Sequence, residues 1–217
     1  MSLDITNFKD LDPGERILMG PGPSNVSPRV LQAMAAPCIG HLDPYFLKVM
    51  DETQQLLRYL FRTRNALTIP VSGTGSAGME TCFVNVVEPG DEVLVCVNGV
   101  FGTRMTDIVN RIGGKLIRVD AEWGRAIDPE AVRKAVKGKT PKVLAVVHAE
   151  TSTGACTPLE ELSKIARETG ALFLVDTVTS LGGIEVDVDK MGIDVVYRDR
   201  KSTRLNSSHS SISYAVF

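Results

Sequence analysis

The chain is predicted to form an open, three-layer α/β fold with a mainly parallel sheet. Three observations point to it: short, nearly all-apolar runs recur along the chain, stretches with helical spacing separate them, and capping pairs mark several helix starts. An apolar run without the alternation of a half-exposed strand belongs to a sheet buried on both faces, which is the situation of a parallel sheet between two helical layers. The runs lie at 66–71, 93–97, 115–119, 142–147, 171–175 and 193–197.

The elements follow in order. Ser27-Pro28 and Asp43-Pro44 each place a capping side chain before a proline at the first helical position, where the missing N–H costs nothing, and Asp128-Pro129 and Thr157-Pro158 repeat the signal. After Asp43, the residues Phe46, Leu47, Met50, Leu57, Leu60 and Phe61 form one apolar stripe. The first strand runs into Ser72-Gly73-Thr74-Gly75-Ser76, and the run at 93–97 into Asn98-Gly99-Val100-Phe101-Gly102. The run at 142–147 leads to His148-Ala149-Glu150-Thr151-Ser152-Thr153-Gly154, and that at 171–175 to Asp176-Thr177. Ligands of such sheets bind beyond the carboxyl ends of the strands, so these four segments form the candidate site.

Composition narrows the function classes. With 217 residues, 43% hydrophobic and 23% charged, the chain has enough apolar material for a core and is not a disordered or fibrous sequence. Its longest aliphatic runs are five residues, against the roughly 20 needed to span a bilayer. A net charge of −2, with Lys and Arg spread along the chain, argues against nucleic acid or an anionic membrane as the main partner. Cys38, Cys82, Cys96 and Cys156 are too far apart for a metal-ligand pair or a compact disulfide frame and read as reduced packing residues. The first twenty residues carry Asp4, Lys9, Asp10, Asp12, Glu15 and Arg16 without a signal-length apolar stretch, which points to a cytoplasmic chain.

Gly73-x-Gly75-x-x-Gly78 matches the dinucleotide fingerprint, but the ribose-binding carboxylate that should end the next strand is replaced by Asn98-Gly99, and Asp91 and Glu92 precede that strand. What survives is a helix N-terminus lined by Thr, Gly and Ser, suited to one phosphate. Asp176 ends an apolar run, where a carboxylate is costly unless a cation or several donors face it; the alternative is a helix cap for the following segment. A phosphate site, a flat aromatic in the 98–102 loop and a buried acid together suggest a phosphorylated planar cation, which pyridoxal 5′-phosphate fits.

Gly20-Pro21-Gly22-Pro23-Ser24-Asn25, the Ser-Gly-Thr-Gly loop, Glu88-Pro89-Gly90-Asp91, the 98–102 loop, Glu150-Thr151-Ser152-Thr153-Gly154 and the segment 175–183 resemble, in order over about residues 15–197, the alanine–glyoxylate and serine–pyruvate aminotransferases of class V. The resemblance implies a homodimeric fold-type I enzyme dependent on pyridoxal 5′-phosphate, with active sites at the subunit interface. Its substrates would be small amino acids and 2-oxo acids, the amino group passing from alanine or serine to glyoxylate or pyruvate. By position, Thr74, Gly75 and Ser76 would bind the cofactor phosphate and Phe101 would stack on the pyridine. Thr151 would bond near the phenolic oxygen, and Asp176 would hold the pyridinium nitrogen protonated. His148 matches a family histidine for which a packing role is the simpler account, and His41 matches a position at the substrate entrance.

The resemblance stops after Tyr197. Where the family continues Ser-Gly-Ser/Thr-Gln-Lys, this chain reads Arg198-Asp199-Arg200-Lys201-Ser202, so the Schiff-base lysine position is Ser202 and no catalytic residue is carried over. Lys201 is one residue early and, in extended chain, would point to the opposite side. The expectation is a partial large domain over 1–197, a non-native tail over 198–217 that resembles translated adapter sequence, and no C-terminal small domain. A peroxisomal address would sit at the missing C-terminus. Without the family's seventh strand, the strand bearing the phosphate loop should lose its partner; 212–217 could be drawn in its place, but nothing in its sequence gives a reason to prefer that. The alternatives are a non-catalytic cofactor-binding or dimer-interaction fragment, or another class V enzyme acting on phosphoserine, aminoethylphosphonate or cysteine.

Overall fold

The computed structural model describes residues 12–20 and 22–199 and, as backbone alone, 212–216. Two helices come first, α1 (Pro28–Met34) and α2 (Pro44–Phe61). Strands and helices then alternate: β1 (Thr68–Ser72), α3 (Gly75–Val86), β2 (Glu92–Val97), α4 (Val100–Arg111), β3 (Lys115–Asp120), α5 (Pro129–Val136) and β4 (Val143–Val147). A two-residue hairpin, β5 (Ala149–Glu150) with β6 (Ala155–Cys156), precedes α6 (Glu160–Thr169), β7 (Leu172–Asp176), α7 (Val188–Met191), β8 (Val195–Asp199) and β9 (Ile212–Val216). The main sheet has the order β1-β9-β8-β7-β4-β2-β3, and β8, β7, β4, β2 and β3 run parallel.

The all-apolar strands are explained by two cores, one on each face. Alternate strand residues Leu94, Leu144, Phe173 and Val175 pack with Leu57 and Phe61 of α2, Val132 of α5 and Leu162 and Ile165 of α6. Their neighbours Val93, Val95, Val147, Leu174 and Tyr197 pack on the other side with Met79 and Phe83 of α3 and Met105 and Val109 of α4. A period of two places successive side chains on opposite faces, so in the central strands β2, β4 and β7 charged residues stand only at the strand ends. This is the predicted three-layer arrangement. Among the described residues no helix is long and apolar enough to cross a membrane.

Local predictions hold unevenly. Asp43 accepts a hydrogen bond from the Tyr45 N–H at 2.8 Å and Asp128 one from the Glu130 N–H at 3.0 Å, as capping residues do. Ser27 precedes α1 without a side-chain cap bond. Thr157 does not start a helix: α6 begins three residues on, and the buried Thr157 hydroxyl accepts bonds from the Ile127 N–H at 3.3 Å and Asn98 Nδ2 at 3.5 Å. Its oxygen satisfies donors of two other loops, a long-range demand that outweighs the local capping signal. The α2 stripe is buried only at Leu57 and Phe61, while Leu47 and Leu60 are exposed, because the helix meets the core with its last turns alone. Cys82 and Cys96 are packing residues, whereas Cys38 and Cys156 are exposed; all four are free.

The edge expected at β1 is paired. β9 lies antiparallel between β1 and β8, with Thr68 opposite Val216, Ser72 opposite Ile212, and Val196 opposite that same Val216. Strand pairing is made by backbone groups, so an unrelated sequence can supply it. A chain ended at residue 211 is therefore expected to lose amide protection at 68–72 while 93–97 and 143–147 keep theirs. Hydrogen exchange followed by mass spectrometry reads this directly, and unchanged protection at 68–72 would contradict the pairing.

Candidate active site

The cavity at the carboxyl ends of β1, β7 and β8 has a volume of about 320 Å³ and is lined by Thr74, Gly75, Ser76, Phe101, Thr151 and Asp176. All six residues singled out in the sequence thus meet in one place, together with Met79, Arg104 and Tyr197. The chain leaves β1 through Gly73, whose φ of +150° L side chains rarely adopt, and Thr74 stands in extended conformation before α3 begins at Gly75. The first-turn N–H groups of a helix have no intrahelical acceptor and carry the positive end of its dipole, which favours an anion, while the buried Asp199 carboxylate, also lining the cavity, lies against Gly75 at the same end. Arg104 adds a cation there, with Nη1 donating to Ser76 Oγ at 2.7 Å and its guanidinium carbon 5.2 Å from the Phe101 ring centroid.

Asp176 is the opposite kind of feature. It is 3% exposed; Oδ1 accepts the Val178 N–H at 2.8 Å and Oδ2 the Tyr197 hydroxyl at 2.7 Å. Tyr197 is beside it because β7 and β8 pair in parallel with Asp176 opposite Tyr197, which puts both side chains on the α3 and α4 face. Burial pushes the Asp176 carboxyl from 3.8 up to about 6; the Tyr197 and Val178 bonds oppose this, and the charges of Glu150 and Asp199 add to it. Among the described residues no Lys, Arg or His pairs with this carboxylate. The Val178 bond has the form of the local cap considered in the sequence, so Asp176 caps the following turn and faces the cavity as well.

Thr151 and Thr179 hydroxyls share a short hydrogen bond at the rim. His148 is buried next to the site; its backbone N–H donates to the Asp176 carbonyl at 3.0 Å, its ring Nδ1 has no hydrogen-bond partner among the described residues, and burial lowers its pKa. His41 is exposed and does not line the cavity. The lysine position, Ser202, lies outside the described residues. Tyr197, Arg104, Met79 and Asp199 line the cavity and escaped the sequence reading of the site, and Glu150, which lay in a candidate segment, was given no role of its own. Tyr197 could have been found as the polar-tipped residue of an apolar strand, and Arg104 as the residue one helical turn beyond Phe101. Glu150, 1% exposed, signals itself only as an acid three residues beyond an apolar run.

A profile of the family described as Aminotransferase class-V matches residues 17–198. The chain belongs to the class-V aminotransferase family. It is 41% identical over 200 residues to the (S)-ureidoglycine–glyoxylate transaminase of Bacillus subtilis, covering 92% of this chain and 48% of that protein. It is 40% identical over 189 residues to the alanine–glyoxylate aminotransferase of Mus musculus, covering 87% and 46%. The crystal structure of an alanine–glyoxylate aminotransferase from Nostoc sp. superposes with a TM-score of 0.90 at 44% identity, over all of this chain and 58% of that one. The chain therefore has the fold-type I architecture of these aminotransferases and spans about half the length of the curated relatives it matches.

In this class-V aminotransferase chain the buried acid has a thermodynamic signature. A carboxyl whose folded-state pKa is raised from 3.8 to about 6 lends stability below pH 4 that is lost as pH rises through 6. The stability of the wild type relative to Asp176→Asn is therefore expected to fall by about 3 kcal/mol between pH 4 and pH 8. Urea unfolding at both values measures it, and a pH-independent difference would show that Asp176 is not held in a desolvated state.

Proposed function

We propose that the chain is the cofactor-binding part of a pyridoxal 5′-phosphate-dependent aminotransferase that moves an amino group from alanine or serine to a glyoxylate- or pyruvate-type 2-oxo acid. As written, with Ser202 at the family's lysine position, it does not complete the reaction. The observation that carries the proposal is Asp176. A buried carboxylate with no cationic partner among the described residues opens into a cavity that also holds an aromatic ring and a helix N-terminus. A planar cation bearing a phosphate meets all three, and the residues fit pyridoxal 5′-phosphate.

When bound, the cofactor supplies a protonated ring that takes up electron density from the substrate Cα. The chain's own residues make that possible. Asp176 holds the proton on the ring nitrogen, and Tyr197 and the Val178 N–H orient its carboxylate. Phe101 covers one face of the ring. Thr74, Gly75 and Ser76 present hydroxyls and first-turn N–H groups to the phosphate, with Arg104 as counter-charge next to Ser76. Thr151 offers its hydroxyl to the phenolic oxygen.

Both named relatives use glyoxylate, whereas their donors differ, being alanine in one and (S)-ureidoglycine in the other. This supports glyoxylate as acceptor more directly than it supports any one donor. A homodimer is supported by Ile17, Met19, Leu42, Tyr45, Leu47 and Tyr59, large apolar side chains left exposed in the amino-terminal segment and on α2. Such a density of uncovered apolar surface marks a protein interface.

Two measurements test the proposal. The chain as written is expected to bind pyridoxamine 5′-phosphate, and Phe101→Ala to weaken that binding about tenfold through loss of stacking and apolar contact. In a version continued through the family's Gln-Lys run and small domain, glyoxylate should be aminated, and Asp176→Ala should lower turnover by at least about 100-fold while cofactor retention changes much less. No amination of glyoxylate with alanine, serine or (S)-ureidoglycine as donor would overturn the assignment.

A further inference from the structure

Two walls of the cavity come from distant parts of the chain: Phe101 from the start of α4, and Thr151 from the hairpin after β5. One buried side chain behind them touches both. Glu150 Oε2 accepts the N–H groups of Phe101 at 3.1 Å and Gly102 at 3.2 Å. Its Oε1 accepts the Ser152 N–H at 3.2 Å and the Ser152 hydroxyl at 2.7 Å, and Ser152 Oγ in turn accepts the Val100 N–H at 2.9 Å. Three successive N–H groups of the first turn of α4 therefore end on Glu150 and Ser152.

A helix normally finds these acceptors in its own N-cap residue. Here that residue is Gly99, which has no side chain to offer. A Cβ at Gly99 would lie 2.4 Å from Glu150 Cγ and 2.6 Å from Ser152 Oγ, so the remote acceptors occupy the space a local cap would need. A local cap would satisfy the helix equally well. What the remote cap adds is a fixed distance between the helix that carries Phe101 and the loop that carries Thr151.

We propose that Glu150, with Ser152, is the positioning element that sets the separation of the Phe101 and Thr151 walls, and so fixes the planar ring that the cavity takes; this rests on the cofactor reading above. Neither side chain lines the cavity, so the role is exerted through the backbone of Phe101 and the Thr151 loop. Loss of Glu150 leaves the backbone of the phosphate end in place, because Thr74 lies in the loop after β1 and Gly75 and Ser76 open α3; only Arg104, which α4 carries, links that end to the capped helix.

The test uses the full chain, pyridoxamine 5′-phosphate as probe, and three readouts: affinity, the induced circular dichroism of the bound ring, and competition by inorganic phosphate. Glu150→Ala is expected to weaken the probe about tenfold, in line with the loss of hydrogen bonds to a charged acceptor, and to abolish most of the induced signal per bound ring, with the affinity for inorganic phosphate falling less than that for the probe. Glu150→Gln keeps an acceptor for α4 but presents an amide N–H to the Ser152 N–H, so its effect should be smaller and in the same direction. Ser152→Ala, the mildest change, should cost about threefold in affinity with a reduced signal, and it decides the matter if Glu150→Ala does not fold. A role confined to stabilising α4 would lower the melting temperature and leave affinity and induced signal at wild-type values; that result overturns the proposal. A wild type that binds no probe overturns the cofactor reading and the wall-spacing role together, whereas binding that is indifferent to all three substitutions overturns only the latter.

Discussion

Burial of the parallel sheet on both faces is the constraint from which the rest follows. With α2, α5, α6 and α7 on one side and α3 and α4 on the other, no position inside β2, β4 or β7 has access to water, and the strands are filled with Val, Leu, Ala, Phe and Cys. Polar chemistry is driven to the strand ends, where backbone groups already emerge and helices begin. That is why the phosphate-type loop, the aromatic, the threonine and the acid come from four separate segments and still share one cavity.

The electrostatics of the cavity have the same origin. Asp176 is buried because it is the last residue of a buried strand, and parallel pairing brings Tyr197 to its side. The helix N-terminus and Arg104 supply positive character elsewhere in the same space, so the site presents separate places for a cation and an anion. A class-V aminotransferase site read without its relatives would still describe a small zwitterionic, planar ligand.

The strands were legible because two-sided burial leaves an uninterrupted apolar signal, and each predicted run agrees with a strand to within a few residues. The caps at Asp43 and Asp128 were legible because they act within two residues of themselves. Features set by long-range geometry were not. Thr157 carries the same local signal as those caps, yet its hydroxyl is claimed by Ile127 and Asn98. Glu150 reaches residues 48 and 49 positions away, Arg104 reaches Ser76, and the exposure of Cys38 and Cys156 depends on what covers them. β9 is the extreme case, since its place is dictated by the open edges of β1 and β8 and not by any preference in its own residues.

The position of β1 also sets an order of assembly. β2, β3, β4, β7 and β8 lie side by side and derive from one continuous stretch of chain, so they can come together as synthesis proceeds. β1 precedes them all, and among the described residues its sheet partner is β9, which follows them all in sequence. That contact joins segments more than 130 positions apart, and contacts of large sequence separation form more slowly than local ones. The loop that opens α3 is tethered directly to β1. The anion-binding end of the cavity therefore rests on the pairing of greatest sequence separation in the sheet, 68–72 with 212–216, whereas the buried acid rests on the much nearer pairing of β7 with β8.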